Sequence, residues 1–160
     1  MSSKIHKEQI WNFINDIKVG MLTTRDGEIL HARPMHLVQD KYDGTIWFFT
    51  KRSAEKMNEI DDDNHVCLAF CNHEEGIHVS LSGKARLTQD ATLIDKFWSP
   101  FAAAWFDGGR DDPDVALLEI KINKGEHWES EGNKAFQLYE IAKANFGEDT
   151  PDIGSSQKFG

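Results

Sequence analysis

The sequence predicts a mainly β fold with flanking helices: a small barrel of six antiparallel strands, with helices at its start, middle and end. Three observations lead to it. Segments in which apolar and polar residues alternate with period two recur along much of the chain. The connections between them are short and rich in Asp, Gly and Asn, which makes neighbouring strands antiparallel. Apolar residues at helical spacing appear near the two ends and in the middle.

From the N-terminus, residues 7–17 place Ile10, Trp11, Ile14 and Ile17 on one helical stripe, with Ser2 or Ser3 available as a cap. Residues 19–24, 29–38 and 45–50 read as strands, separated by Asp26-Gly27 and by Asp40-Lys41-Tyr42-Asp43-Gly44. Ser53 is placed to cap a short helix reaching Asp61, with Glu55 in the first turn, where the helix dipole favours an anion. Residues 65–71 give the next strand and His73-Glu74-Glu75-Gly76 the turn after it. Residues 77–87 then alternate, with Val79, Leu81, Ala85 and Leu87 on a dry face and Ser80, Ser82, Lys84 and Arg86 on a wet one.

Residues 90–98 and 100–106 read as helices, and Gly108-Gly109-Arg110-Asp111-Asp112-Pro113 is a loop that no regular element crosses. Residues 115–122 alternate again and turn Ala116, Leu118, Ile120 and Ile122 to the core; residues 126–130 make a last short strand. Residues 133–146 form a final helix bearing Phe136 and Tyr139. Residues 1–146 thus make one domain and residues 147–160 a polar tail.

A chain of 160 residues buries roughly two thirds of its unfolded surface without metal or disulfide staples. Its 39% hydrophobic and 11% aromatic content belongs to a folded protein. Eighteen basic against twenty-seven acidic residues, a formal charge of −9, repel nucleic acid and anionic lipid. No apolar run approaches the ~20 residues of a membrane helix and no export signal is visible. The expectation is a cytoplasmic protein with no nucleic-acid or membrane partner. Cys67 and Cys71, four apart on one face of a strand, are too distant to bridge and are expected as buried free thiols.

The stretch Phe49-Thr50-Lys51-Arg52-Ser53-Ala54-Glu55-Lys56 gathers three cations and two hydroxyls between a strand end and a helix start, in an otherwise acidic protein. Free N–H groups, a hydroxyl and nearby ammonium or guanidinium groups are what a phosphate site is built from; an exposed loop of solvated Lys and Arg gives the same pattern. Arg33 lies mid-strand in Ala32-Arg33-Pro34-Met35, where it needs either a bound phosphate or an acidic partner. Pro34 lacks an N–H and belongs on an edge or at a bulge.

Met21-Leu22-Thr23-Thr24, Arg33-Pro34-Met35, Trp47-Phe48-Phe49-Thr50 with Lys51 to Lys56, and Val79-Ser80-Leu81-Ser82-Gly83 occur in that order. Together they resemble the pyridoxamine-phosphate-oxidase-like FMN-binding split barrels. The later Trp105-Phe106-Asp107-Gly108-Gly109-Arg110, Val115-Ala116-Leu117-Leu118-Glu119-Ile120 and Glu126-His127-Trp128-Glu129 resemble the general stress protein branch. The resemblance spans roughly residues 10–128 and implies a six-stranded antiparallel split β-barrel. It also implies a homodimer holding FMN noncovalently at the subunit interface. Carried onto matching positions, Arg33, Lys51, Ser53 and Lys56 form the phosphate and ribityl shell and Thr50 adds a hydroxyl. Pro34, Met35 and Phe49 border the isoalloxazine, and Trp105, or alternatively Trp128, of the partner subunit covers the exposed ring edge. On this assignment, replacing Arg33 and Lys56 by Ala releases FMN and leaves the fold intact.

The Arg- and His-bearing C-terminal segment that the oxidases use on their substrate is missing: residues 147–160 carry one basic residue, Lys158. Vitamin B6 oxidation is therefore disfavoured. A flavin-dependent oxidoreductase acting on an unidentified small molecule is expected; a noncatalytic flavin-binding stress module and a relative holding haem or a deazaflavin are the alternatives. The histidines show no metal-ligand spacing and Asp61-Asp62-Asp63 lacks the pattern of a calcium loop, so no metal is expected. No Gly-x-Gly-x-x-Gly motif or nucleophile elbow occurs. No catalytic side chain is assigned, since in a flavoprotein the cofactor carries the reaction.

Overall fold

The computed structural model describes residues 2–130, 134–147, 150, 152 and 154–160. Its elements are α1 (Ser2–Ile17), β1 (Val19–Asp26), β2 (Ile29–His36), β3 (Thr45–Lys51), α2 (Glu55–Asp62), β4 (His65–Asn72) and β5 (Ile77–Thr88). There follow α3 (Ala91–Phe97), the single turn α4 (Pro100–Ala103), β6 (Val115–Ser130), α5 (Lys134–Phe146) and β7 (Gly154–Phe159). Asn133 and the side chains of Ser2, Ser3, Glu55 and Phe136, named above as cap, first-turn or final-helix residues, lie outside the described residues.

Every strand pairing is antiparallel, in the spatial order β2-β1-β4-β5-β6-β3. The sheet curls until its two ends, β2 and β3, approach each other, and no ladder joins them among the described residues. That open seam makes the barrel a split one.

The inward face follows from register. Leu22 lies opposite Arg33 and Leu68, and Leu68 opposite Leu81, so these side chains share one face. Ile46, Phe48, Val66, Phe70, Val79, Ala85, Leu118 and Ile120 join them in a buried core. Helix α1 closes one mouth of the barrel, burying Ile10 and Ile14. On β6 the expected alternation is lost, and Val115 to Ile120 are all buried. The second face of this strand is covered too: Val115 and Leu117 pack with Trp47, Ile94, Phe97 and Phe106 under α3 and the segment after it.

Several boundaries differ from the sequence reading. β6 runs unbroken from Val115 to Ser130, because its first half pairs with β3 while its second half takes β7 on the same edge. The end of the tail is therefore a strand, Gly154–Phe159, held along Gly125–Ser130. Its polar residues alternate without a hydrophobic face, which hid it from pattern reading. Residues 100–106 contain only one helical turn, and the Gly-rich loop holds a 3₁₀ turn at Gly109–Asp111. Cys71 is exposed and Cys67 half-buried, not buried as expected, because both point outward from β4 while Val66, Leu68 and Phe70 point in.

Gly83 sits where β5 slips register against β6. A Cβ there runs into the carbonyl oxygen of Lys121 on the neighbouring strand, which cannot move without breaking the ladder. Gly83→Ala is expected to lower stability by about 1–3 kcal/mol, the usual range for overpacking; denaturant titration measures it.

Candidate functional site

The seam between β2 and β3 opens into a cleft of about 540 Å³, within the size range of small-molecule sites. β2 supplies Pro34, Met35 and His36; β3 supplies Phe49, Thr50 and Lys51; the turn and helix after β3 supply Ser53, Ala54 and Lys56. Phe101, Trp105 and Phe106, around α4, form the far wall. One end thus carries two ammonium groups and two hydroxyls, and the rest is apolar and aromatic.

Eight of the nine residues singled out from sequence line this cleft: Pro34, Met35, Phe49, Thr50, Lys51, Ser53, Lys56 and Trp105. Arg33 does not. Register turns its side chain inward, on the same face as Leu22. There Nη2 donates to Glu59 Oε2 at 2.6 Å and Nη1 to Thr24 Oγ1 at 2.5 Å. Of the two partners open to Arg33 at the sequence level, the acid is the one this structure shows, and Glu59, on α2, was not singled out. Its signal was faint: an acid three residues after Lys56 in a short helix.

Glu59 is only 7% exposed and also accepts from the Thr24 hydroxyl and contacts His31 Nδ1 at 3.3 Å. The Thr24 bond, with those from Arg33 and His31, holds its carboxyl below the ordinary 4.5 although burial works the other way. A depressed carboxyl pKa stabilises the fold fully above the unfolded value and loses that contribution as pH falls through the folded one. Glu59→Gln is therefore expected to lower Tm at neutral pH, and the gap to the parent protein should close as pH drops below 4.5; melting curves from pH 3 to 7 check this.

Ser53 does not cap α2 as expected. The N-cap is Ala54, with no side-chain bond. The Ser53 hydroxyl and N–H instead donate to the two Asp114 carboxylate oxygens at 2.8 and 2.9 Å, and Arg52 N–H donates to the Asp114 carbonyl at 2.9 Å. Asp114, at the start of β6, thereby pins the Lys51–Ala54 turn in the shape that presents Lys51 and Lys56 to the cleft. Those bonds hold its carboxyl below the usual range.

Lys56 is half-buried; burial first, and the Arg33 guanidinium second, push its amino group below the usual lysine range, while Glu59 opposes them. No carboxylate ion-pairs with Lys51 or Lys56 among the described residues. Thr50 Oγ1 is buried with no hydrogen-bond partner among them either. A buried hydroxyl without a partner is costly, and Thr50 lines the same cleft as Lys51 and Lys56, neither of which is within ion-pair distance of a carboxylate among the described residues. That donor set fits a phosphate.

Trp105 is 64% exposed at the mouth of its own chain's cleft. Trp128 lies elsewhere, on the outer face of the sheet with Val19, Met21, Ala69 and Cys71. No group of three or more metal-ligating side chains occurs among the described residues, and no helix among them is long and apolar enough to cross a membrane.

A family model described as pyridoxamine 5'-phosphate oxidase like matches residues 6–152. The chain belongs to this family. Within it, the general stress protein branch is indicated by general stress protein 26 of Bacillus subtilis, 32% identical over 124 residues, 76% of this chain and 86% of the relative. Protein bli-3 of Neurospora crassa is 29% identical over 143 residues, 82% of this chain and 68% of the relative. Among solved structures, a Jannaschia sp. CCS1 protein of the general stress protein 26 type superposes with TM-score 0.73 at 33% identity, covering 98% of both chains. The general stress FMN/FAD binding protein of Xanthomonas citri superposes with TM-score 0.73 at 30% identity, covering 81% of this chain and 92% of its own. This member of the oxidase-like family thus shares its overall fold with a relative named for FMN/FAD binding.

Proposed function

We propose that the chain binds FMN in the seam between β2 and β3 and acts as a flavin-dependent oxidoreductase on a small molecule. The observation that carries the reading is the polar end of the cleft: Lys51, Lys56 and the unpartnered Thr50 hydroxyl beside an apolar slot. Lys51 and Lys56 hold the phosphate, Thr50 donates to it or to the ribityl chain, and the Ser53 turn fixes both lysines through Asp114. Pro34, Met35 and Phe49 border the isoalloxazine, and Trp105 shields its edge from water. FMN held there would supply hydride or single-electron transfer. The Xanthomonas citri relative, named for FMN/FAD binding, supports a flavin; the preference for FMN comes from the phosphate end.

The working form is proposed to be a cytoplasmic homodimer. Val19, Met21 and Trp128 expose apolar surface on the outer sheet face, where monomers rarely leave a contiguous patch, and a second copy covering it brings two seams together. Quenching of flavin fluorescence by the protein tests the cofactor: FMN should bind at least tenfold more tightly than riboflavin, which lacks the phosphate. Equal affinities, or none, overturn the reading. Sedimentation of the FMN-loaded protein should give twice the chain mass.

A further inference from the structure

One titratable ring stands at the apolar end of the cleft. His36, the last residue of β2, is exposed and stacks on Phe101, with ring centroids 4.2 Å apart and planes 27° from parallel. Neither ring nitrogen makes a hydrogen bond or ion pair among the described residues. The stack therefore fixes the plane of the imidazole and leaves its polar edge free.

The groups around it are few. Val19, opposite His36 on β1, carries no charge, nor do Phe101 and Trp105 across the cleft. Lys18, next in the chain to Val19, turns its ammonium to Asn15 Oδ1 at 2.7 Å. Within the cleft the other charged groups are Lys51 and Lys56, at the opposite, phosphate end. The ionisable side chain at the aromatic end is thus His36.

We propose that His36 tunes the flavin: its imidazolium stabilises the anionic reduced ring, so acid raises the tendency of bound FMN to accept electrons by more than the flavin's own proton uptake does. The inference rests on the flavin reading of the cleft. Oxidised flavin takes up two electrons and one proton to reach the anionic reduced form, and the remaining negative charge is delocalised on the ring. A cation fixed beside that ring favours the reduced form over the neutral oxidised one. The loss of solvent when the ring fills the cleft strengthens the effect. Lys51 and Lys56, committed to the phosphate, contribute equally to both redox states.

The test is an anaerobic redox titration of the FMN-loaded full chain, with dithionite as electron donor and a reference dye, from pH 5.5 to 8.5. It compares the parent with His36→Phe, which keeps an aromatic ring on Phe101, and with His36→Lys, which fixes the charge. At a set potential the reduced-to-oxidised ratio at pH 5.5 should be severalfold higher in the parent than in His36→Phe, and the two should converge by pH 8.5. His36→Lys should keep the higher ratio throughout. Superposed curves for parent and His36→Phe overturn the inference, as does a constant offset between them at every pH. FMN retention is measured on each protein first. A parent that does not hold FMN overturns the cofactor reading itself, whereas retained FMN with superposed curves removes only the role of His36.

Discussion

Replacing Lys51 and Lys56 together by Ala should abolish retention of FMN at micromolar concentration while riboflavin binding stays as it was. Each ammonium is expected to make a charge-assisted hydrogen bond to the phosphate, and such bonds contribute about 1.5–3 kcal/mol. Losing both weakens affinity by roughly two to four orders of magnitude. Neither side chain belongs to the buried core or, among the described residues, to an ion pair, so the melting temperature should hardly change. Fluorescence titration with the two flavins separates the outcomes. An equal loss for both would place the effect on the ring or the fold, and no loss would move the phosphate elsewhere.

Arg33→Ala should act in the opposite way, on the fold. Its guanidinium neutralises Glu59, which is 7% exposed and lies among Thr24, His31 and α2. Removing one partner of a buried pair leaves the other charge uncompensated and costs about 3–5 kcal/mol. For a chain of this length that lowers Tm by roughly 6–20 °C. Replacing both members, as Arg33→Met with Glu59→Gln, removes the stranded charge and should recover most of the loss. Calorimetry of the single and double variants decides it: a single variant as stable as the parent would show that the pair contributes little. This replaces the expectation, drawn from sequence alone, that Arg33 is lost without harm to the fold.

The contrast between Arg33 and Lys56 shows what the sequence made legible. Period-two alternation in residues 77–87 and the stripe through Ile10 and Ile14 gave the barrel and its covering helix, because burial is periodic wherever one face is wet. The segment from Phe49 to Lys56 gave the cleft, because those residues are contiguous and their chemistry does not depend on a distant partner. Arg33 required a partner twenty-six residues away, in an element whose position relative to β1 is a matter of tertiary packing. Asp114 escaped for the same reason: its bonds to Ser53 span sixty-one residues. β7 escaped because a short polar strand on an edge carries no hydrophobic signal. The stacking of His36 on Phe101 depends on α4 folding back over the cleft, which no local pattern signals.

The cleft also joins two parts of the account. The seam exists because β2 and β3 are left unpaired at the ends of the sheet, and Pro34 at that edge keeps the seam from being sealed by a further strand. On the proposed reading, cofactor binding and barrel splitting are then two consequences of one topology.

The central claim is that this seam holds FMN by its phosphate. Its most direct test is the absorption spectrum, from 300 to 700 nm, of the full chain after mixing with excess FMN and exhaustive ultrafiltration. The account predicts flavin bands near one FMN per chain in the parent protein and their disappearance in the Lys51→Ala, Lys56→Ala variant. A parent protein that emerges colourless, or a variant that keeps its flavin, would contradict it.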